Sequence, residues 1–323
     1  MSDWTGRRAL VTGATGIVGS WLVKELLAAG AHVVVLVLDL DPQSELVRSG
    51  DIDHVAVVNG RLESFPTLER AISLHEPDTV FHLGAQTIVE VAHRSPLATF
   101  EANVRGTYNL LEACRTHAAL VERVVVASSD KAYGEAETLP YTEQSPLAAR
   151  HPYEVSKACA DLIAQSYHHA YRLPAAIARC GNVYGGGDLN WSRLVPGTIR
   201  ALLLEERPVL RSDGSYVRDY LYVKDAALGY MDLAEGLSDL QVRGGVFNLS
   251  AESPLSVLEV VGTIARLLGR EEVEPVIEDR AAGEIHSQVL SARLAREVLG
   301  WQPRYDLETG LLETIEWYRS FLA

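Results

Sequence analysis

Three glycines at three-residue intervals, Gly13, Gly16 and Gly19, follow the apolar run Arg8 to Val11 and open a helical run, Trp21 to Ala29. Strand, tight turn and helix in that order make a dinucleotide cradle. Gly13 allows the sharp turn, Gly16 lets backbone N–H groups approach a pyrophosphate, and Gly19 lets the helix pack close to the sheet. The spacing G-x-x-G-x-x-G differs from G-x-G-x-x-G, and a plain strand-to-helix turn would carry the same glycines; the strand-then-helix context favours the cradle. A second apolar run, Val33 to Leu38, ends at Asp39, the acid expected on a ribose roughly 20 to 25 residues beyond the loop. An acid there favours NAD over NADP, because it repels a 2′-phosphate.

The 323 residues exceed one typical domain yet suit a sheet-rich architecture with a smaller second lobe. No run approaches the roughly 20 apolar residues of a membrane span, and Met1 to Arg8 has no apolar stretch of a signal peptide, so a cytoplasmic chain is expected. A net charge of −14 opposes nonspecific nucleic-acid binding and leaves any anionic ligand to local cations. Cys114, Cys159 and Cys180 stand far apart without metal-ligand spacing, which predicts reduced core thiols and no metal site. Only four lysines occur, Lys24, Lys131, Lys157 and Lys224, and two of them fall in motifs.

Strands alternate with helices through the first half: Val55 to Val58, a helix near Thr67 to His75, Thr79 to Leu83, a helix from Pro96 to His117, Val124 to Ala127, a helix His151 to Tyr171, and Ala175 to Cys180. That alternation predicts a doubly wound α/β fold, a parallel Rossmann-type sheet with a smaller mixed α/β lobe. We divide the chain into a dinucleotide-binding unit over 1–181, with 215–248 returning to it in part, and a mainly substrate-binding lobe over 182–323. In the irregular second half, helices are expected near Leu194 to Glu205, Lys224 to Glu235, Leu255 to Leu268 and Glu308 to Leu322. Short strands are expected near Val209, Val217 and Val246 to Leu249.

Tyr153 and Lys157 sit four apart on a helix, which brings phenol and ammonium to one face. With 13 tyrosines and four lysines in 323 residues, chance supplies such a pair only about 0.16 times per chain. The ammonium would favour phenolate, so Tyr153 is a candidate base toward a sugar or alcohol hydroxyl. Ser129 stands at the end of a central strand, on the edge that carries the glycine loop, where its hydroxyl would bond the same substrate oxygen or simply serve the turn. Asp130 and Lys131 follow as an acid and a base for neighbouring substrate atoms, or as a solvated ion pair.

Together these segments resemble the extended short-chain dehydrogenase/reductases that modify nucleotide sugars, over nearly the whole chain. Gly13 to Gly19 is similar to the cofactor loop, Phe81-His82-Leu83-Gly84-Ala85-Gln86 to the strand end beside the cofactor, and Asn103-Val104-Arg105-Gly106-Thr107 to the helix motif beneath it. Gly181 to Asp188, Arg218 to Asp225 and Leu299 to Pro303 resemble substrate-lobe landmarks. The resemblance implies that Gly13, Thr15, Gly16, Ile17, Gly19, Asp39, Leu83, Ala85, Asn103, Tyr153 and Lys157 meet NAD. It implies that Ser129, Asp130, Lys131, Tyr153 and Lys157 are catalytic, and that Gln86, Asn182, Arg193 and Arg218 meet a nucleotide-sugar substrate. Both arginines would also suit casual salt bridges.

Ser129-Asp130-Lys131-Ala132-Tyr133, with Ala85-Gln86 and Gly186-Gly187-Asp188, looks most like the 4,6-dehydratases, of the CDP-glucose type. This chain departs from the family's pattern at Gly60-Arg61-Leu62, where an aspartate near the adenine is common, and at Ala92, where a serine often meets the sugar. A 4-epimerase is the nearest alternative, and it leaves Asp130 and Lys131 without chemical duty. A nonenzymatic NAD-binding sensor, the alternative of another class, has no need of Ser129, Tyr153 and Lys157 together. The family also implies a homodimer through the helices Pro96 to His117 and Pro152 to Tyr171.

Overall fold

β-Branched runs with both faces buried fold as the inner strands of a parallel sheet, and the computed structural model, which describes residues 3–280 and 285–323, places them so. Met1 and Ser2, the start of the segment read for a signal peptide, lie outside the described residues. In chain order the strands are β1 Arg8–Thr12, β2 His32–Val37, β3 Ala56–Asn59, β4 Thr79–His82, β5 Arg123–Ala127, β6 Ala175–Cys180, β7 Asn182–Tyr184, β8 Val209–Leu210, β9 Val217–Tyr222, β10 Val246–Leu249, β11 Pro254–Ser256, β12 Val276–Ile277 and β13 Ser287–Gln288. Seven of them form one sheet in the order β10-β6-β5-β4-β1-β2-β3. Every pairing in it is parallel.

Alternate residues of each inner strand serve opposite cores. Ala9, Val11, Val33, Val35, Val125 and Ala178 pack on one face, with the helices Ile17–Ala28 and Val223–Gly236. Leu10, Val34, Val124, Val126 and Ile177 pack on the other, against Phe65–His75, Gly106–Thr116 and Pro152–Tyr171. Each fully buried valine or leucine contributes about 1.5–3 kcal/mol relative to exposure, so a one-residue register slip is strongly disfavoured.

The strand order reverses at β1, and the glycine turn follows that strand directly. Gly13 has φ of +73°, and a Cβ there would lie 2.7 Å from the Gly84 nitrogen. Gly19 differs from its expected part: a Cβ on it would stand 2.1 Å from the Gly13 carbonyl oxygen, so it lets the helix close on its own loop rather than on the sheet.

The expected helix Pro96 to His117 is interrupted. Its middle, Glu101–Arg105, is a π turn between the α-helical pieces Pro96–Phe100 and Gly106–Thr116. After β6 the chain builds a second sheet around β9, which pairs parallel with β7 and β13 and antiparallel with β11. It then rejoins the first sheet through the helix Val223–Gly236 and the edge strand β10. Elements without a sequence signal are short and include β7, β8's partner β12, β11, β13 and the helices Glu45–Arg48, Val89–Arg94 and Arg293–Leu299. Two to seven residues hold too little of either period to be read.

Candidate active site

Strand ends converge where β1, β4, β5 and β6 stop, and the second lobe covers them to leave a cleft of about 1200 Å³. Gly13, Thr15, Gly16, Ile17 and Gly19 line it at one end with Leu83 and Ala85, and Ser129, Asp130, Lys131, Tyr153 and Lys157 line its middle. Asn182, Arg193 and Arg218 line the side that belongs to the second lobe.

Local structure explains each placement. Ser129 is the N-cap of a 3₁₀ turn, Asp130–Tyr133, and its Oγ accepts from the Lys131 backbone N–H (3.2 Å) while donating to Asp130 Oδ1 (3.0 Å). Tyr133 pins the end of that turn: its hydroxyl donates to Asn248 Oδ1 (2.7 Å) and accepts from Arg179 (2.9 Å). Arg179 is in turn held by two bonds to Asp161, at 2.8 and 3.0 Å, so a buried ion pair fixes the segment that carries Asp130 and Lys131.

Lys131 Nζ stands among three oxygens, Asn182 Oδ1 at 3.3 Å, Gln288 Oε1 at 3.4 Å and Asp130 Oδ1 at 3.5 Å. Tyr153 and Lys157 share one cleft wall on the helix Pro152–Tyr171, as their spacing predicts, but the electrostatics differ from expectation. Burial pushes the Tyr153 phenol up to about 12, and the groups that pull it back are the Ser129 hydroxyl and the Arg193 guanidinium. Lys157 turns its Nζ to the Ala127 carbonyl (2.5 Å), and burial brings its amine down to about 8.

Among the described residues, six buried polar side-chain atoms lack a partner. Four of them, Ser128 Oγ, Asp130 Oδ2, Asn182 Nδ2 and Gln288 Nε2, belong to residues that line this cleft. Buried polar groups are costly unpaired, so their concentration here marks a wall made to meet a polar ligand. The glycine turn, with backbone N–H groups at the start of a helix, fits the pyrophosphate of a dinucleotide at the other end.

A family model described as GDP-mannose 4,6 dehydratase matches residues 10–314. The chain belongs to that family. It is 30% identical to the CDP-glucose 4,6-dehydratase of Salmonella typhimurium, over 99% of this chain and 92% of that protein. Its fold is similar to a UDP-glucose 4-epimerase of Thermotoga maritima solved with UDP-glucose, with a TM-score of 0.89, 28% identity and coverage of 98% and 100% of the two chains. It is also similar to a dTDP-glucose 4,6-dehydratase of Bacillus anthracis solved in complex with NAD, with a TM-score of 0.86, 27% identity and coverage of 98% and 97%.

Three residues that the resemblance assigned to ligands flank this lining. Asp39 is exposed at the bend directly after β2, and Asp41, two residues on, lines the cleft. Asn103 is behind the wall, in the π turn, where its Oδ1 accepts from the Gln86 backbone N–H (2.7 Å) and its Nδ2 donates to the Gln86 carbonyl (3.0 Å) and Ser156 Oγ (2.8 Å). It fastens the strand end to the Tyr153 helix. Gln86 also stands outside the cleft lining, its Oε1 accepting from the Ile88 N–H (2.6 Å).

Arg193 pairs with Asp188 (3.0 Å) and reaches Thr87 Oγ1 (3.4 Å), and Arg218 donates to the carbonyls of Val217 and His286, both at 2.9 Å. Cys180, expected as a core thiol, is buried but also lines the cleft, 3.6 Å from the Tyr230 hydroxyl. Burial pushes its thiol up to about 12, so it stays protonated. Ser128, Tyr230 and Gln288 line the site without any sequence signal.

Proposed function

We propose that this chain is an enzyme that dehydrates a nucleotide-diphosphate hexose across C5 and C6, a 4,6-dehydratase with NAD in the glycine-turn end of the cleft. The observation that carries it is the Asp130–Lys131 pair, seated in the cleft wall beside Ser129 and Tyr153 rather than out in solvent. Its residues divide as read from the chain: 1–181 with part of 215–248 for the dinucleotide, and 182–323 mainly for the sugar nucleotide.

NAD bound there would supply the redox chemistry, taking up the C4 hydride and giving it back at C6, so that the net change is the loss of one water. Gly13, Thr15, Gly16, Ile17, Gly19, Leu83 and Ala85 would hold it, and Asp39 would meet the ribose, with Asp41 two residues on at the cleft lining. Tyr153, helped by Ser129, takes the proton of the O4 hydroxyl, which becomes a ketone and acidifies C5–H. Lys131 removes the C5 proton and Asp130 protonates the departing O6, so water leaves. Arg193, Arg218 and Asn182 hold the diphosphate side of the substrate. The CDP-glucose relative supports a cytidine nucleotide as the first substrate to try.

Incubation with CDP-, dTDP- and UDP-glucose should convert at least one to a product lighter by one water, with NAD bound more tightly than NADP. A product of unchanged mass from every one would replace this reading by 4-epimerisation, which the epimerase neighbour's shared fold supports.

We also propose a homodimer through the helices of residues 96–116 and 152–171. Leu97 is 74% exposed on the first and Leu162 55% on the second, and Tyr108 adds a third exposed apolar side chain. Val155, Cys159, Leu162 and Ser166 recur at helical spacing along that outer face. Sedimentation at micromolar concentration should give twice 35.3 kDa, and Leu162→Glu should halve the mass. A monomeric wild type removes the proposal.

A further inference from the structure

Gln288 comes from far along the chain and belongs to no motif that the sequence shows. It lies on β13, paired with β9 so that Gln288 faces Arg218 in register, while β7 sets Asn182 opposite Tyr220 on the same central strand. One strand of the second lobe therefore delivers two carboxamides to Lys131. Gln288 is 1% exposed, with its Oε1 on Lys131 Nζ at 3.4 Å and its Nε2 unpartnered. A buried amide of a cleft-lining residue is thus committed at its oxygen end to the Lys131 amine.

We propose that Gln288 is a positioning residue for the elimination step: its Oε1, with Asn182 Oδ1, aims Lys131 Nζ at C5. The inference rests on the dehydratase reading above, since an epimerase has no use for an aimed Lys131. Its logic is geometric. Lys131 has a long flexible stem, and three oxygens at nearly equal distance restrict the amine to one position. Only Asp130 is adjacent in sequence; the two carboxamides make the restraint depend on the second lobe being in place, so the base is aimed when that lobe is seated.

The test separates the steps. In Gln288→Leu, which keeps the volume, formation of the 4-keto sugar should stay within about threefold of wild type, while deuterium uptake at C5 and water loss should fall about 10- to 100-fold. Adding Gln288→Leu to Lys131→Met should cause no further loss, because a residue that works through another has nothing left to position. Gln288→Glu keeps the acceptor oxygen and adds an anion beside the amine, so the pH at which C5 exchange switches on should rise by about one unit. This shift is measurable even where Gln288→Leu fails to fold.

Wild-type exchange in Gln288→Leu, equal loss of ketone formation and exchange, additive loss in the double variant, or an unmoved pH profile in Gln288→Glu each overturns the inference. Should Lys131→Met itself exchange C5 at the wild-type rate, Lys131 is not the base and the inference falls; should the wild type neither exchange C5 nor lose water, the dehydratase reading itself fails. If Lys131→Met is impaired and Gln288→Leu is not, only the inference fails.

Discussion

Replacing Lys131 by methionine should stop the reaction halfway: the 4-keto sugar still forms, but water loss and solvent-deuterium uptake at C5 fall by about 10²–10⁴, the usual contribution of a positioned base. Methionine keeps the length and apolar stem of lysine, so the cleft should retain its shape. The amine stands 3.5 Å from Asp130 Oδ1, and that oxygen also accepts from Ser129 Oγ, so hydroxyl, carboxyl and amine form one chain of contacts. The other Asp130 oxygen is buried without a partner. That leaves the carboxyl one oxygen to couple to its neighbours and one for the departing O6. A lysine acts as a base only when neutral, so acid and base act as one unit in which a proton is shared. Mass spectrometry of product formed in D₂O reads both events at once. Near-normal turnover of Lys131→Met to an isomer of unchanged mass would sink the dehydratase reading, because an epimerase has no C5 proton to remove.

What the sequence revealed of this molecule follows the length and regularity of its elements. Val124 to Val126 and Ala175 to Ala178 are buried on both sides, so their unbroken apolar runs could be read as inner strands. Tyr153 and Lys157 could be paired because a helix converts a spacing of four into a shared face. Asp41 drew no notice because the ribose acid is counted along the chain, whereas the bend after Val37 brings Asp41 to the cleft lining. Asn103 could be assigned to its region but not to its contacts: a π turn aims its amide at the Gln86 backbone, and periodicity of 3.6 cannot show a single widened turn. Gln288 was invisible for a third reason. Its strand is two residues long, and its partner in the site, Lys131, is 157 residues away.

Tyr153→Phe should fail one step earlier than Lys131→Met, with ketone formation itself reduced by about 10²–10⁴ and substrate affinity little changed, since only the proton-accepting oxygen is lost. Burial, more than any charge nearby, holds the phenol up at about 12, too high for a base at neutral pH. The Ser129 hydroxyl and the Arg193 guanidinium act in the opposite direction, favouring phenolate, while the Asp130 carboxylate opposes them. A positively charged nicotinamide would add to the lowering, which ties the base to an occupied cofactor site. Ketone formation should therefore rise with pH, along a limb below 12 in the cofactor-loaded protein, because phenolate is the active form. Ser129→Ala removes a hydrogen bond that favours phenolate, so its limb should move to higher pH, with the rate recovering in part as the solution becomes more alkaline. Tyr153→Phe should show no such recovery at any pH. Stopped-flow measurement of ketone formation across the pH range distinguishes the two, and a Tyr153→Phe enzyme that still forms ketone within about tenfold of wild type would take the base from Tyr153 and leave the Ser129 hydroxyl without its assigned partner.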